Sequence, residues 1–359
     1  MPPRYCERPL AVRCGALGDM VLLTALIRVL HAEFNLPVDI VTSGPWSEPL
    51  LRGQPGVGEI FSMRSRKTPY WLNADQRRVV RKLRARGAGP TWFCDADDAA
   101  RHVLERAGIG AELLVDVKDH ALLPGEHATE QWRRLAQIMP RALVGSLSTD
   151  IESVAPGCFL EVLPAHRADL AVWLQRRDLA EQPLLLVQIG NKRTMRRGVK
   201  RLAVNNKYWP LERWAEVLQF LRQHHPRHAI VLLGTGPEQQ LNQELVSLAQ
   251  VRGLHNAADD LPIPRLVALL DRAEGLLTVD SGPAHAAAAV GCPQVVLFGK
   301  ALPSLYRPRG VAHADVQLLQ GEIEGEPSML GIDTRSVIAA WSSLKLREAC
   351  PGSRAPRRA

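Results

Sequence analysis

A carboxylate, a hydroxyl and an imidazole fall within six residues in Asp280-Ser281-Gly282-Pro283-Ala284-His285, where an apolar run gives way to Ala286–Ala289. Residues 275–280 (Gly-Leu-Leu-Thr-Val-Asp) predict a strand buried on both faces. The Ala-rich run after Pro283 predicts a helix with little side-chain bulk, so that backbone can come close to a ligand. The first N–H groups of a helix lack intrahelical partners and its dipole places roughly half a positive charge there, which suits a diphosphate. An Asp or Ser N-cap on a core helix is the plainer reading. His285 tips the balance, because a cation-capable side chain in the first turn is unfavourable for the helix itself and is better explained as a ligand contact.

A second group of interest is the carboxylate in Gly15-Ala16-Leu17-Gly18-Asp19, which follows the short strand Leu10–Cys14. Taken alone, Asp19 reads as a capping carboxylate worth about 0.5 to 2 kcal/mol. With a phosphate-suited loop elsewhere in the chain, it also has a role as general base. Asp95-Ala96-Asp97 has the Asp-x-Asp form of a metal site for nucleotide diphosphates, but its place at a strand end favours capping of the next helix.

The elements that must position these groups alternate strand and helix, the pattern of α/β units with parallel sheets. One series has strands at 10–14, 38–42, 59–63 and 91–95, with helices at 19–32, 75–86, 99–107 and 126–138. A helix and connector over 165–182 end at Pro183. The second series has strands at 184–189, 229–233, 275–280 and, as the last core strand, 294–298. Its helices are expected at 211–225, 238–250 and 264–273. Two Rossmann-like halves would place a ligand cleft at the carboxyl ends of two sheets. A length of 359 residues, 46% hydrophobic, supports two cores. Thr334 to Leu346 predicts a final helix with Val337, Ile338, Trp341 and Leu344 on one side.

The six cysteines (Cys6, Cys14, Cys94, Cys158, Cys292, Cys350) show no metal-ligand spacing and read as reduced thiols. Neither a signal peptide nor a run near the ~20 apolar residues of a membrane span is visible, so a cytoplasmic protein, at most peripheral on a membrane, is expected. The net charge of +8 is concentrated at Arg64-Ser65-Arg66-Lys67, along Arg77–Arg86, over Lys192–Arg201 and in the tail Arg354–Arg358. With aromatic residues only 5% of the chain and not interleaved with these clusters, nucleic acid is not an expected partner. Arg77–Arg86 has helical spacing and reads as a solvated face.

Four segments in order resemble glycosyltransferase family 9, the heptosyltransferases. They are Arg13-Cys14-Gly15-Ala16-Leu17-Gly18-Asp19, Lys207-Tyr208-Trp209-Pro210, Leu233-Gly234-Thr235-Gly236-Pro237-Glu238, and Asp280-Ser281-Gly282-Pro283-Ala284-His285. The resemblance runs from about residue 9 to 300 and implies a GT-B fold, two Rossmann-like domains facing each other across a cleft. It implies an acceptor-binding domain at 1–165, a linker at 166–183, a nucleotide-sugar-binding domain at 184–325, a helix at 326–346 returning to the first domain, and a basic tail at 347–359. The implied reaction is inverting, metal-independent transfer of heptose from ADP-heptose to a lipopolysaccharide inner-core acceptor, without a cofactor. Asp19 would be the base, Lys207 would contact the donor phosphates, and Glu238, or Gln239 if the loop is read one residue on, the nucleoside. Asp280, Ser281, Gly282 and His285 would hold diphosphate and sugar. Arg64, Arg66 and Lys67 suit an anionic acceptor at the inner face of the inner membrane, although a basic loop needs no ligand. The charged stretch 192–201 departs from the family pattern.

Two other classes compete. A nicotinamide-dependent oxidoreductase would show a Gly-x-Gly-x-x-Gly after a strand with an acidic residue about 20 positions on, which is absent. A non-catalytic nucleotide-sugar-binding protein would share the donor loop and need no base, and a family member using another sugar or acceptor would share everything.

Overall fold

The computed structural model describes residues 5–65, 68–95, 97–143, 149–191 and 207–348. The chain divides into two compact units, Met1–Glu161 and Val162–Ala359.

In the first unit, β1 (Leu10–Arg13) leads into α1 (Leu17–Phe34), β2 (Val38–Ser43), α2 (Ser47–Leu51) and β3 (Val57–Met63). Then come α3 (Ala74–Arg86), β4 (Thr91–Phe93), α4 (Asp98–Ala107), β5 (Leu114–Asp116) and α5 (Ala128–Ala136). The strands form one parallel sheet in the order β3-β2-β1-β4-β5. The order reverses direction between β1 and β4, so a crevice opens at their carboxyl ends. β1 and β2 are buried along nearly their whole length, as expected of central strands in a parallel sheet. α1 has ten buried residues and ends at Asn35 in a left-handed conformation, φ +49°.

The second unit starts with α6 (Pro164–Arg176), β6 (Leu184–Gln188), α7 (Leu211–His224), β7 (Ala229–Leu232) and α8 (Gln239–Ala249). It continues with β8 (Leu254–Asn256), α9 (Ile263–Arg272), β9 (Gly275–Val279), α10 (Gly282–Ala289), β10 (Gln294–Phe298) and α11 (Pro303–Tyr306). β11 (Val316–Ile323), β12 (Glu326–Ser328) and α12 (Thr334–Ser343) complete it. The sheet order is β12-β11-β10-β9-β6-β7-β8, parallel except for β12. Here the reversal lies between β6 and β9.

The sheet does not stop at β10 as the sequence reading expected. β11 pairs with β10 in parallel register, Val296 opposite Leu318. Its half-exposed, Gln-interrupted sequence lacks the unbroken apolar run that marks the central strands. α6 packs on α9, where Arg265 forms a two-pronged ion pair with Asp169 at 2.8 and 3.0 Å and Trp173 Nε1 donates to Asp260 at 2.6 Å. α12 lies on α7, β10 and β11 through Val337 and Trp341, with Ile338 and Leu344 beside them.

Candidate active site

At the carboxyl ends of β6 and β9 the second unit assembles most of the residues singled out in sequence. Asp280 directly follows β9, buried at 6% exposure, and Ser281 occupies the N-cap of α10 in extended conformation, φ −152°. Gly282 and Pro283 open the helix, where a missing proline N–H costs nothing, and His285 lies one turn in, also buried. Lys207 reaches this end of the sheet and places Nζ 2.6 Å from Asp280 Oδ2 and 2.9 Å from the Asp280 carbonyl. The lysine and the carboxylate expected to serve one ligand are thus an ion pair with each other, its side chains 23% and 8% exposed. Ser281 Oγ donates to Gln188 Oε1 at 3.0 Å, which ties α10 to β6 across the reversal point.

Glu238 ends the 3-10 turn Gly236–Glu238 that follows β7. Its Oε2 accepts from the Thr235 N–H at 2.9 Å and the Thr235 hydroxyl at 2.7 Å. Oε1 is buried and accepts no hydrogen bond among the described residues. Burial pushes this carboxyl above the usual range, while the two Thr235 donors pull the other way. Gly190 allows the approach, since a Cβ there would stand 2.5 Å from Glu238 Oε1. Gln239 is the first residue of α8, and its carbonyl accepts from Asn256 Nδ2 at 3.1 Å.

The first unit holds Asp19 at the corresponding place, beyond β1 and beside β4. Asp19 is in the first turn of α1, not at the N-cap, and reaches back so that Oδ2 accepts from the Ala16 N–H at 2.7 Å. Oδ1 pairs with Arg13 Nη2 at 2.6 Å. Arg13 in turn donates to the Cys94 carbonyl at 2.7 Å and lies 5.5 Å over the Trp132 ring, so three elements fix the guanidinium. Gly15 is required by closeness, as a Cβ there would meet Asp19 Cβ at 2.3 Å. Each carboxylate oxygen has a second lone pair through which it could take a hydroxyl proton.

Asp95 Oδ2 accepts from the Cys14 N–H at 2.8 Å and Oδ1 from the Asp97 N–H at 3.1 Å, while Asp97 caps α4 through the Ala99 N–H at 2.9 Å. Both carboxylates therefore organise backbone. Arg64 follows β3 with its side chain 96% exposed and Nε 3.8 Å from Asp75. Arg66, Lys67 and the charged stretch 192–201 lie outside the described residues. Burial pushes the Cys94, Cys158 and Cys292 thiols up to about 12, which leaves them without a nucleophilic thiolate at neutral pH.

Sequence reasoning missed Arg13, Gln188 and Thr235 as partners of the named residues. Gln188 did leave a signal, as the one polar break in Leu184-Leu-Leu-Val-Gln-Ile189. Arg13 likewise interrupts an apolar strand.

Two parallel-sheet units, each with its polar cluster at a reversal point, define an α/β protein of GT-B fold. Solved structures agree. The chain superposes on an ADP-heptose lipopolysaccharide heptosyltransferase II from Escherichia coli with a TM-score of 0.68, 20% identity and coverage of 94% of this chain and 98% of that one. With a family 9 glycosyl transferase from Veillonella parvula the TM-score is 0.75, at 18% identity and coverage of 94% and 96%. Residues 197–327 match the family model for glycosyltransferase family 9 (heptosyltransferase). Lipopolysaccharide heptosyltransferase 2 of Escherichia coli K12 is 25% identical over 368 residues, 92% of this chain and 97% of that protein. Lipooligosaccharide heptosyltransferase 2 of Haemophilus influenzae is 23% identical over 335 residues, 86% and 87% of the two chains. Over residues 197–327 the chain is thus similar to glycosyltransferase family 9, and over most of its length to heptosyltransferases.

Proposed function

We propose that this enzyme transfers heptose from ADP-heptose to a Kdo or heptose residue of the lipopolysaccharide inner core, with inversion at the anomeric carbon. The reading is carried by the Lys207–Asp280 pair beside the start of α10, at the reversal point of the sheet and inside the family-matched segment. In it the donor diphosphate lies on the first N–H groups of α10, with Lys207 supplying positive charge, His285 a ring N–H donor, and Asp280, Ser281 and Gly282 shaping the sugar side. Glu238, with one buried oxygen open, accepts from a nucleoside hydroxyl. A single preorganised donor to developing charge is worth about 3 kcal/mol, so helix and lysine suffice for the leaving group without a metal.

Asp19 takes the proton of the acceptor hydroxyl as that oxygen bonds to the anomeric carbon. The bond to the diphosphate breaks and its electron pair leaves with ADP. One displacement inverts the configuration. Residues 1–165 bind the acceptor through Arg64, Arg66 and Lys67, and residues 184–325 the donor. The enzyme works in the cytoplasm at the inner face of the inner membrane, where a lipid-linked acceptor is held.

The test is incubation with ADP-heptose and a delipidated Kdo-bearing acceptor, read by mass spectrometry without metal and then with magnesium. A heptose mass gained without metal is expected. Asp19→Asn should lower transfer by about 10² to 10⁴ while ADP binding survives. ADP binding with no mass gain would point to another sugar or acceptor, and absence of ADP binding would refute the donor site.

A further inference from the structure

Between β3 and α3, the 3-10 turn Tyr70–Leu72 leaves Trp71 73% and Leu72 59% exposed, the only two adjacent large apolar side chains so open among the described residues. Single exposed apolar residues are ordinary, but a contiguous pair beside concentrated charge marks a contact surface. The turn itself is well fastened. Leu72 N–H donates to the Pro69 carbonyl at 3.0 Å and Asn73 N–H to the Tyr70 carbonyl at 3.1 Å. Arg77 holds the Tyr70 and Trp71 carbonyls, and the Arg106 guanidinium lies 4.7 Å over the Tyr70 ring. Held this way, the indole and the leucine stay out of the core.

The adjoining helix supplies the charge. α3 turns Gln76, Val79, Val80 and Leu83 inward and leaves Arg78, Arg81, Lys82 and Arg84 exposed, an excess of positive charge even though Arg78 pairs with Asp75 at 2.5 Å and Lys82 with Glu59 at 3.0 Å. We infer that Trp71 and Leu72, together with Arg78, Arg81 and Lys82, form a docking surface for an anionic lipid bilayer. An indole is favoured at the level of lipid headgroups, and each Lys or Arg beside an anionic leaflet contributes attraction that falls off within a Debye length. Neither feature alone anchors a protein. Combined, they complement a surface that is negative outside and apolar just beneath. A nucleic acid would want further aromatic platforms, which α3 lacks. The surface deepens the reading in which the acceptor is lipid-linked, but its test needs no acceptor.

The full chain is sedimented with vesicles of phosphatidylcholine and phosphatidylglycerol, and with phosphatidylcholine alone. Binding is expected to the anionic vesicles only, released at about 1 M salt, where the Debye length is about 3 Å. Arg78→Glu with Arg81→Glu should weaken it by about thirtyfold or more, and Trp71→Ser with Leu72→Ser by about tenfold or more. Both variants should keep the melting temperature and the transfer rate to a delipidated acceptor. Equal binding to the two vesicle types, no binding to either, or unchanged binding by both variants, which would move the contact to the basic residues 354–358, would overturn the inference. Vesicle binding in a chain that transfers no heptose to the Kdo-bearing acceptor would count against the heptose-transfer reading and leave this one standing.

Discussion

Lys207 and Asp280 are separated by 73 residues and meet at 2.6 Å, so neither can be changed without altering the other. Lys207→Met alone leaves a nearly buried carboxylate without its cation, at a cost of about 3 kcal/mol. A lost activity in that variant would therefore mix folding with binding. Lys207→Met combined with Asp280→Asn should recover most of the stability in a denaturant titration and still fail to bind ADP by calorimetry. Recovery of both would show that the lysine serves structure only. Glu238 gives a second case. Its folded carboxyl titrates above the unfolded one, so its contribution to stability is fully present below the unfolded value and is lost as pH rises through the folded one. Glu238→Gln should accordingly melt higher than the parent at pH 8, with the gap closing as pH falls toward 4.5. The Lys207–Asp280 pairing escaped the sequence because spacing along the chain says nothing about which strand ends become neighbours, whereas Thr235-Gly-Pro-Glu238 carries the Thr-x-x-Glu spacing of a capping box, a local signal that was overlooked. The identities of Lys207, Glu238, Asp280 and Ser281 were visible there, but Thr235 as the partner of Glu238 and Gln188 as the partner of Ser281 were not singled out.

At the scale of elements, strands buried on both faces were the legible ones. Leu184–Gln188, Gly275–Val279 and Gln294–Phe298 are near-continuous apolar runs and emerged within a residue or two of their reading. The three-residue strands Leu114–Asp116 and Leu254–Asn256 are too short for any periodicity, and β11 is amphipathic only after its neighbours are known. α12 was readable by its stripe, yet its anchorage was not. Trp341 Nε1 donates to His225 Nε2 at 3.1 Å, in a cluster with His224, His228, Glu274 and Arg222 around the end of α7. His225 must be neutral at that nitrogen, and burial followed by the neighbouring His228 lowers its proton affinity. A histidine held neutral stabilises above its unfolded value of about 6.5 and loses that contribution as pH falls through the lower folded one. Thermal melts at pH 7.5 and 5.5 should show the loss, and His225→Gln, which keeps an acceptor for the indole, should flatten it. A slope unchanged in His225→Gln would assign the titration to another group.

For the whole molecule, the division at Glu161 and Val162 into two units, each with its own sheet, makes a directional forecast. ADP at a hundred times its Kd adds about 2.7 kcal/mol to the state it binds. Amide exchange should then slow first around Gln188, Asp280 and α10, and far less around Asp19 and β1. Equal protection in both units would contradict a donor site built by the second unit. No helix among the described residues is long and apolar enough to cross a membrane. The two-unit arrangement was legible from strand–helix alternation. Which clusters share a reversal point was not, because it depends on β9 returning to the far side of β6.

The bond from Ser281 Oγ to Gln188 Oε1 gives that hydroxyl a direction. A serine has one proton, and with Thr278 Oγ1, at 3.3 Å, donating to the Val279 carbonyl, the shorter bond to the amide oxygen of β6 takes that proton, so the oxygen meets an incoming molecule with lone pairs only. The oxygens of a diphosphate diester, which carry no hydrogen at neutral pH, can neither accept from it nor donate to it. A sugar hydroxyl or a water molecule can donate to it. At a helix start that attracts anions, Ser281 is thus polarised toward the neutral part of a donor, and turning the Gln188 amide over would reverse that preference without moving either backbone.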